Sequence, residues 1–133
     1  REIADVLQGD GIIVADGGET SLWMAEQAIV LNAGDFLSHG YLGCLGVGIP
    51  FAIAAKVARP EKRVVTIVGD GSAGLNIAEF DTAVRHNIPI VVVVNNAQGW
   101  GMIRHGQRAR YGNDRVRRPR GVRHRRRPDP PGD

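Results

Sequence analysis

Val64-Val65-Thr66-Ile67-Val68-Gly69-Asp70-Gly71-Ser72 is the stretch on which the fold turns. Val64–Val68 is β-branched throughout, with no alternation of apolar and polar residues. That pattern predicts a strand covered on both faces, as in a parallel sheet. Gly69-Asp70-Gly71 ends it. Ile90–Val94 repeats the pattern, and Asn95-Asn96 ends that run. Between the two, Asn76–His86 reads as a helix with Ile77, Phe80 and Val84 at i, i+3 and i+7. Asn87-Ile88-Pro89 stops it. Upstream, Gly11-Ile12-Ile13-Val14-Ala15 is another buried strand, introduced by the turn signal Gly9-Asp10-Gly11 and stopped by Asp16-Gly17-Gly18. Thr20-Ser21 then cap a helix over about Leu22–Leu31, with Trp23, Ala25 and Ile29 on its apolar side. Residues 34–48 read as irregular and glycine-rich. From about Gly46 to Ala58 the pattern is helical and apolar nearly all round, a buried helix. Arg59-Pro60-Glu61-Lys62 is a turn, and a last helix spans about Met102–Arg108. Strands alternating with helices through short loops predict an α/β domain, a doubly wound parallel sheet in three layers with helices on both faces. No internal repeat is visible.

The chain has 133 residues, 43% of them apolar, 5% aromatic and 18 of them glycine. That length suffices for one domain with a real core. The net charge of +3 is unevenly distributed. Residues 115–133 hold eight arginines against Asp129 and Asp133, so residues 1–114 carry nine basic and twelve acidic side chains, a net of −3. The body is mildly acidic, and any nucleic-acid reading rests on the tail. Cys44 is the only cysteine, which excludes an intrachain disulfide and suits a reducing, cytoplasmic setting. No signal peptide is recognisable, and the apolar runs are too short to cross a bilayer. The chain starts on Arg1, mid-pattern, which suggests a fragment of a longer polypeptide.

In open parallel sheets, ligands bind outside the carboxyl ends of the strands. Three loops leave such ends: Asp16–Thr20, Gly69–Ser72 and Asn95–Gly99. Gly69 and Gly71 let the backbone pass close to a bulky anion, with the amides of Gly71 and Ser72 available to it. Asp70 would repel a phosphate unless a cation lay between them. Mg²⁺ or Ca²⁺ shares carboxylate and phosphate oxygens in this way, and the side-chain carbonyl of Asn96 is a second hard oxygen. Gly-Asp-Gly or Asn-Asn alone after a strand is a common turn. The pair flanking one strand–helix–strand unit is far more specific.

Gly69-Asp70-Gly71 followed by Asn95-Asn96 resembles the cofactor motif of thiamine-diphosphate-dependent enzymes. Glu79-Phe80-Asp81-Thr82-Ala83-Val84-Arg85-His86-Asn87-Ile88-Pro89 and Gly99-Trp100-Gly101-Met102 resemble the acetolactate synthase-like branch, in its C-terminal diphosphate-binding domain. The resemblance implies thiamine diphosphate and Mg²⁺ as cofactors. It implies Asp70, Asn96 and the backbone carbonyl of Gln98 as metal ligands, and Gly69, Gly71 and Ser72 around the diphosphate. The segment from Asp16 to Trp23 is similar to a family segment that also faces the diphosphate, implicating Gly18, Glu19 and Thr20. Glu19 and Thr20 stand there in place of Gln and His. Gly43-Cys44-Leu45-Gly46 matches a Gly-X-Met-Gly motif, in which the Cys44 carbonyl would meet the aminopyrimidine and Leu45 would prop the bent cofactor. Leu45 reads equally well as a core residue. The Asp70-to-Asn96 spacing is one shorter than in synthases of this branch. Ala97 is the alternative position, and Asn96 is preferred because Ala97 has no side-chain ligand.

The implied activity is decarboxylation of a 2-oxo acid and joining of the product to a second carbonyl. The alternatives are another decarboxylase or lyase acting on 2-oxo acids or acyl-CoA, and a truncated, inactive remnant. The family also requires a glutamate against the pyrimidine ring, supplied by a separate pyrimidine-binding domain of the same or another chain, and the full-length enzyme is expected to be a homo-oligomer. Glu26 and Glu79 fall within predicted helices and do not match that residue, so no catalytic residue is assigned in this chain. His39 sits in the glycine-rich loop near the expected cofactor; His86 and His105 fall on helices, and all three read first as structural. The resemblance covers about residues 1–114, an incomplete domain at its C-terminus. Residues 115–133 have the Arg/Pro-rich composition of disorder, or of a reading frame shifted near Asp114–Val116. A basic arm for nucleic acid is the rival reading, disfavoured because no aromatic follows Tyr111.

Overall fold

A computed structural model describes residues 2–112, and the tail beyond, with its expected boundary at 114–115, lies outside the described residues. The elements in chain order are α1 (Glu2–Leu7), β1 (Gly11–Asp16), α2 (Gly18–Gln27), β2 (Phe36–Ser38), α3 (Gly48–Ala58), β3 (Arg63–Gly69), α4 (Asp70–Leu75), α5 (Glu79–Arg85), β4 (Val91–Asn95) and α6 (Gly101–Tyr111). The four strands are all parallel in the order β2-β1-β3-β4. The chain winds outward from β1 to β2 and then back past β1 to β3 and β4. The order therefore reverses between β1 and β3, which is where an open sheet of this kind forms a crevice.

Period-2 alternation sorts the sheet residues between the two faces. Ile12, Val14 and Val64 pack with Ala52 and Ala55 of α3, flanked by Leu37 and Ile90. Ile13, Val65 and Ile67 pack on the other face with Leu7 of α1, Met24 of α2 and Ala28 beyond it. The predicted doubly wound architecture is thus present. Val14 and Val68 are fully buried, each side chain contributing roughly 1.5–3 kcal/mol of burial. The approach of α3 to the sheet depends on Gly48: a Cβ there would lie 2.4 Å from Val68 Cγ1.

Several expectations need correction. Helix α2 starts four residues early, on Gly17-Gly18, so Thr20 and Ser21 are buried helical residues rather than caps. Trp23 and Ile29 are exposed, and Met24 and Ala28 form the inward side instead. Helix α1 was not anticipated. The stretch 34–48 contains a short strand, β2, held because Ile13 to Ala15 of β1 pair with Phe36 to Ser38. The helix expected over Asn76–His86 is the shorter α5, Glu79–Arg85, and an unexpected helix, α4, begins at Asp70 and ends at Leu75. Phe80 and Val84 face outward, and Ala83 is the buried residue of α5. Among the described residues strand β4 is the edge of the sheet, and its Val91, Val93 and Val94 are exposed.

Away from the carboxyl edge, Asp35 anchors the start of β2. It is buried and accepts from Lys62 Nζ at 2.7 Å, Asn32 Nδ2 at 3.0 Å and Arg59 Nη1 at 3.3 Å. The Lys62 ammonium bound to it, and then the Asn32 amide, hold its carboxyl below the ordinary carboxylate value against the opposing effect of burial. The cluster ties β2 to the turn joining α3 and β3.

Candidate functional site

A cleft of about 380 Å³ opens at the carboxyl ends of β1, β3 and β4. Its floor is glycine. Gly17 has φ 104, and a Cβ on it would lie 3.1 Å from the amide of Gly69, so the β1 and β3 ends touch through main chain. Only glycine accepts both that conformation and that approach. Thr20 is buried beside them, and Asn95 Nδ2 donates to its Oγ1 at 3.2 Å. Three strand ends are thereby joined by Gly17, Thr20, Gly69 and Asn95.

Gly69 pairs in register with Asn95. That is the last pair of the ladder, where neighbouring strands run about 4.8 Å apart, and Asp70 and Asn96 are the next residue on each chain segment. The Asp70 carboxylate accepts from Gly71 N at 2.8 Å through Oδ1 and from Gly99 N at 2.7 Å through Oδ2. Asn96 Oδ1 accepts from Gln98 N at 2.9 Å, a side-chain turn that swings the loop round. Gln98 and Gly99 both take positive φ, 57° and 142°. The loop 96–99 thus folds back onto Asp70.

These residues fit a hard divalent cation. A carboxylate has about four acceptor positions, of which the two amides use two. Asn96 Oδ1 likewise has a second lone pair. Carboxylate, amide oxygen and main-chain carbonyl are hard oxygens of the kind that Mg²⁺ and Ca²⁺ accept. Among the described residues, no group of three or more His, Cys, Asp or Glu side chains offers an alternative metal cluster.

The other candidates divide. Gly18, Glu19, Thr20, Leu45, Gly69, Asp70, Gly71 and Ser72 all line the cleft. Cys44, Asn96 and Gln98 do not, whereas Asn95 and Ala97 do. Cys44 is exposed. Gly71 N is directed at its own residue's neighbour Asp70 rather than into the opening. Leu45 is half-buried at the cleft, and His39 also lines it, its Nδ1 set 3.1 Å from the Gly40 carbonyl.

Two features escaped the sequence reading. Asp16, read as a strand stop, is completely buried and binds three amides: Gly17 N at 2.7 Å, Gly46 N at 3.0 Å and Gly48 N at 2.8 Å. It fastens the turn that carries Leu45 to the end of β1. The second is the wall formed by Trp100, Gly101, Met102 and Ile103. The Trp100 ring lies 3.2 Å from where a Cβ on Gly71 would be. A carboxyl-terminal Asp after a buried strand was a usable signal for the first. Nothing local indicated the second.

A glycine-floored cleft at the switch point of a doubly wound parallel sheet defines a domain that binds a phosphate-bearing cofactor. Residues 16–130 match the family model of the thiamine pyrophosphate enzyme C-terminal TPP binding domain, and the chain belongs to that family, among its acetolactate synthase-like and related members. It is 40% identical over 111 residues to the probable acetolactate synthase of Mycobacterium bovis, covering 84% of this chain and 20% of that protein. The acetolactate synthase large subunit IlvG of Mycobacterium tuberculosis gives the same values. Mouse 2-hydroxyacyl-CoA lyase 2 is 36% identical over 117 residues, which is 86% of this chain and 18% of that protein. The chain spans about a fifth of the length of these curated relatives. Among the described residues no helix is long and apolar enough to cross a membrane.

Proposed function

We propose that this cleft holds the diphosphate of thiamine diphosphate with Mg²⁺, as one domain of an acetolactate synthase-like enzyme that decarboxylates a 2-oxo acid and joins the product to a second carbonyl. The observation that supports the reading is the register of Gly69 with Asn95, after which Asp70 and Asn96 follow as the next residues of neighbouring strands. Asp70, Asn96 and the Gln98 carbonyl would hold the cation. Gly18, Thr20, Gly69, Gly71 and Ser72 leave room for the phosphates, and Glu19 lies at the rim of the same opening. The Cys44 carbonyl would meet the aminopyrimidine, with Leu45 beneath the cofactor. Bound thiamine diphosphate supplies the electron sink for breaking a bond next to a carbonyl. The chain's own part is to bind and orient. A pyrimidine-binding domain, of the same or another chain, would complete the site and cover the exposed apolar side chains.

Cleavage of a 2-hydroxyacyl-CoA is the second reading, favoured by the similarity to the mouse lyase. Calorimetric titration of thiamine diphosphate with and without Mg²⁺ tests the site. Binding should require the metal and should be lost in Asp70→Ala. Metal-independent binding, or an unaffected Asp70→Ala, sinks the assignment. Assaying the full-length enzyme on a 2-oxo acid and on a 2-hydroxyacyl-CoA separates the two activities.

A further inference from the structure

Helix α6 lies on the surface. None of its residues is buried, and its principal neighbour is α2. The two helices touch through glycines. A Cβ on Gly18 would stand 2.9 Å from Met102 Sδ, and one on Gly101 would stand 2.6 Å from Glu19 Oε2. One turn further along, His105 Nδ1 donates to Glu19 Oε1 at 2.6 Å. The Glu19 side chain is 33% exposed and that of His105 67%, so the bond is part-buried on one side and solvent-screened on the other. Met102 and Ile103, in the first turn of the helix so held, form part of the cleft wall, as does Glu19 itself.

Resting on the cofactor reading above, the geometry points to Glu19 and His105 as a positioning pair, a latch that holds α6 as the cleft wall and so raises affinity for the cofactor's diphosphate. The latch gives the acid beside the diphosphate a second role: its charge repels the ligand, while its bond to His105 holds the wall. The two roles differ in sign. If Glu19 acts only as a nearby negative charge, removing it tightens binding. If it is the latch, removing it weakens binding, and removing His105 does the same.

The experiment compares the full chain with Glu19→Ala, His105→Ala and the double variant. Hydrogen exchange of α6 amides in the ligand-free protein reports the latch directly, and urea unfolding reports global stability. Exchange across α6 should rise about three- to tenfold in each variant while the unfolding midpoint stays put. With Mg²⁺ present, thiamine diphosphate should bind about three- to tenfold more weakly to each single variant, and the double variant should be no worse than either. Unchanged α6 exchange overturns the latch, and so does a Glu19→Ala variant that binds as tightly as the parent or more tightly. Failure of the cofactor reading looks different: the parent itself shows no binding with or without Mg²⁺, which overturns the affinity claim whatever the exchange data show.

Discussion

Asp16 offers the sharpest test of how this fold builds its site. Its side chain is fully buried and accepts three amides, Gly17 N through Oδ1 and Gly46 N and Gly48 N through Oδ2. Asp16→Ala leaves three buried donors without that partner. At roughly 1–3 kcal/mol per unsatisfied buried group, and with some relief from water entering the gap, the loss should be about 3–6 kcal/mol. A domain of this size has about 5–15 kcal/mol in total, so the variant should be close to unfolding. Asp16→Asn is milder. Its oxygen can keep Gly46 and Gly48, but its amide then meets the Gly17 donor, and about 2–3 kcal/mol should be lost. Urea unfolding followed by far-ultraviolet circular dichroism measures both, the slope staying near the parent's while the midpoint falls. The same variants should bind thiamine diphosphate more weakly, because the turn carrying Leu45 loses its anchor. An Asp16→Ala variant within about 1 kcal/mol of the parent would show that the three amides find other partners, and the reasoning would fail.

Gly48→Ala puts a methyl group 2.4 Å from Val68 Cγ1, so it should cost about 1–3 kcal/mol in the same unfolding assay. Asp35 has a carboxyl pKa lowered in the folded state by Lys62, so its contribution is present above the unfolded carboxylate value and is lost as pH falls through the folded one. Thermal unfolding between about pH 5 and pH 2 should therefore show a fall in stability that is shallower in Asp35→Asn. Asn96→Ala should weaken Mg²⁺-dependent cofactor binding, and Ala97→Ser should leave it unchanged by calorimetry. The reverse result would move the ligand one residue along the loop.

The layer structure was legible because β-branched runs without alternation have few other uses than a covered parallel strand. Gly11–Ala15, Val64–Val68 and Ile90–Val94 all appear as strands within a residue or two. The chemistry of the strand ends was legible for a similar reason. Gly69-Asp70-Gly71 and Asn95-Asn96 concentrate flexible backbone and hard oxygens where a parallel sheet presents its ligands, and the family match to residues 16–130 agrees with the cofactor class read from them. Periodicity failed where packing overrode it. Ile77, Phe80 and Val84 have helical spacing, yet the chain breaks between α4 and α5, and the apolar side they would form is exposed.

The sequence by itself determined the parallel α/β class, the strand ends at which the cleft opens and the family, since each rests on local residue chemistry and spacing. Only the tertiary structure decided that Asp16 gathers the amides of Gly46 and Gly48 from thirty residues away, that Thr20 takes Asn95, and that Glu19 is held by His105 on the last described helix. Those are contacts between segments distant along the chain. Their partners are chosen by sheet order and helix packing, which no window of sequence contains.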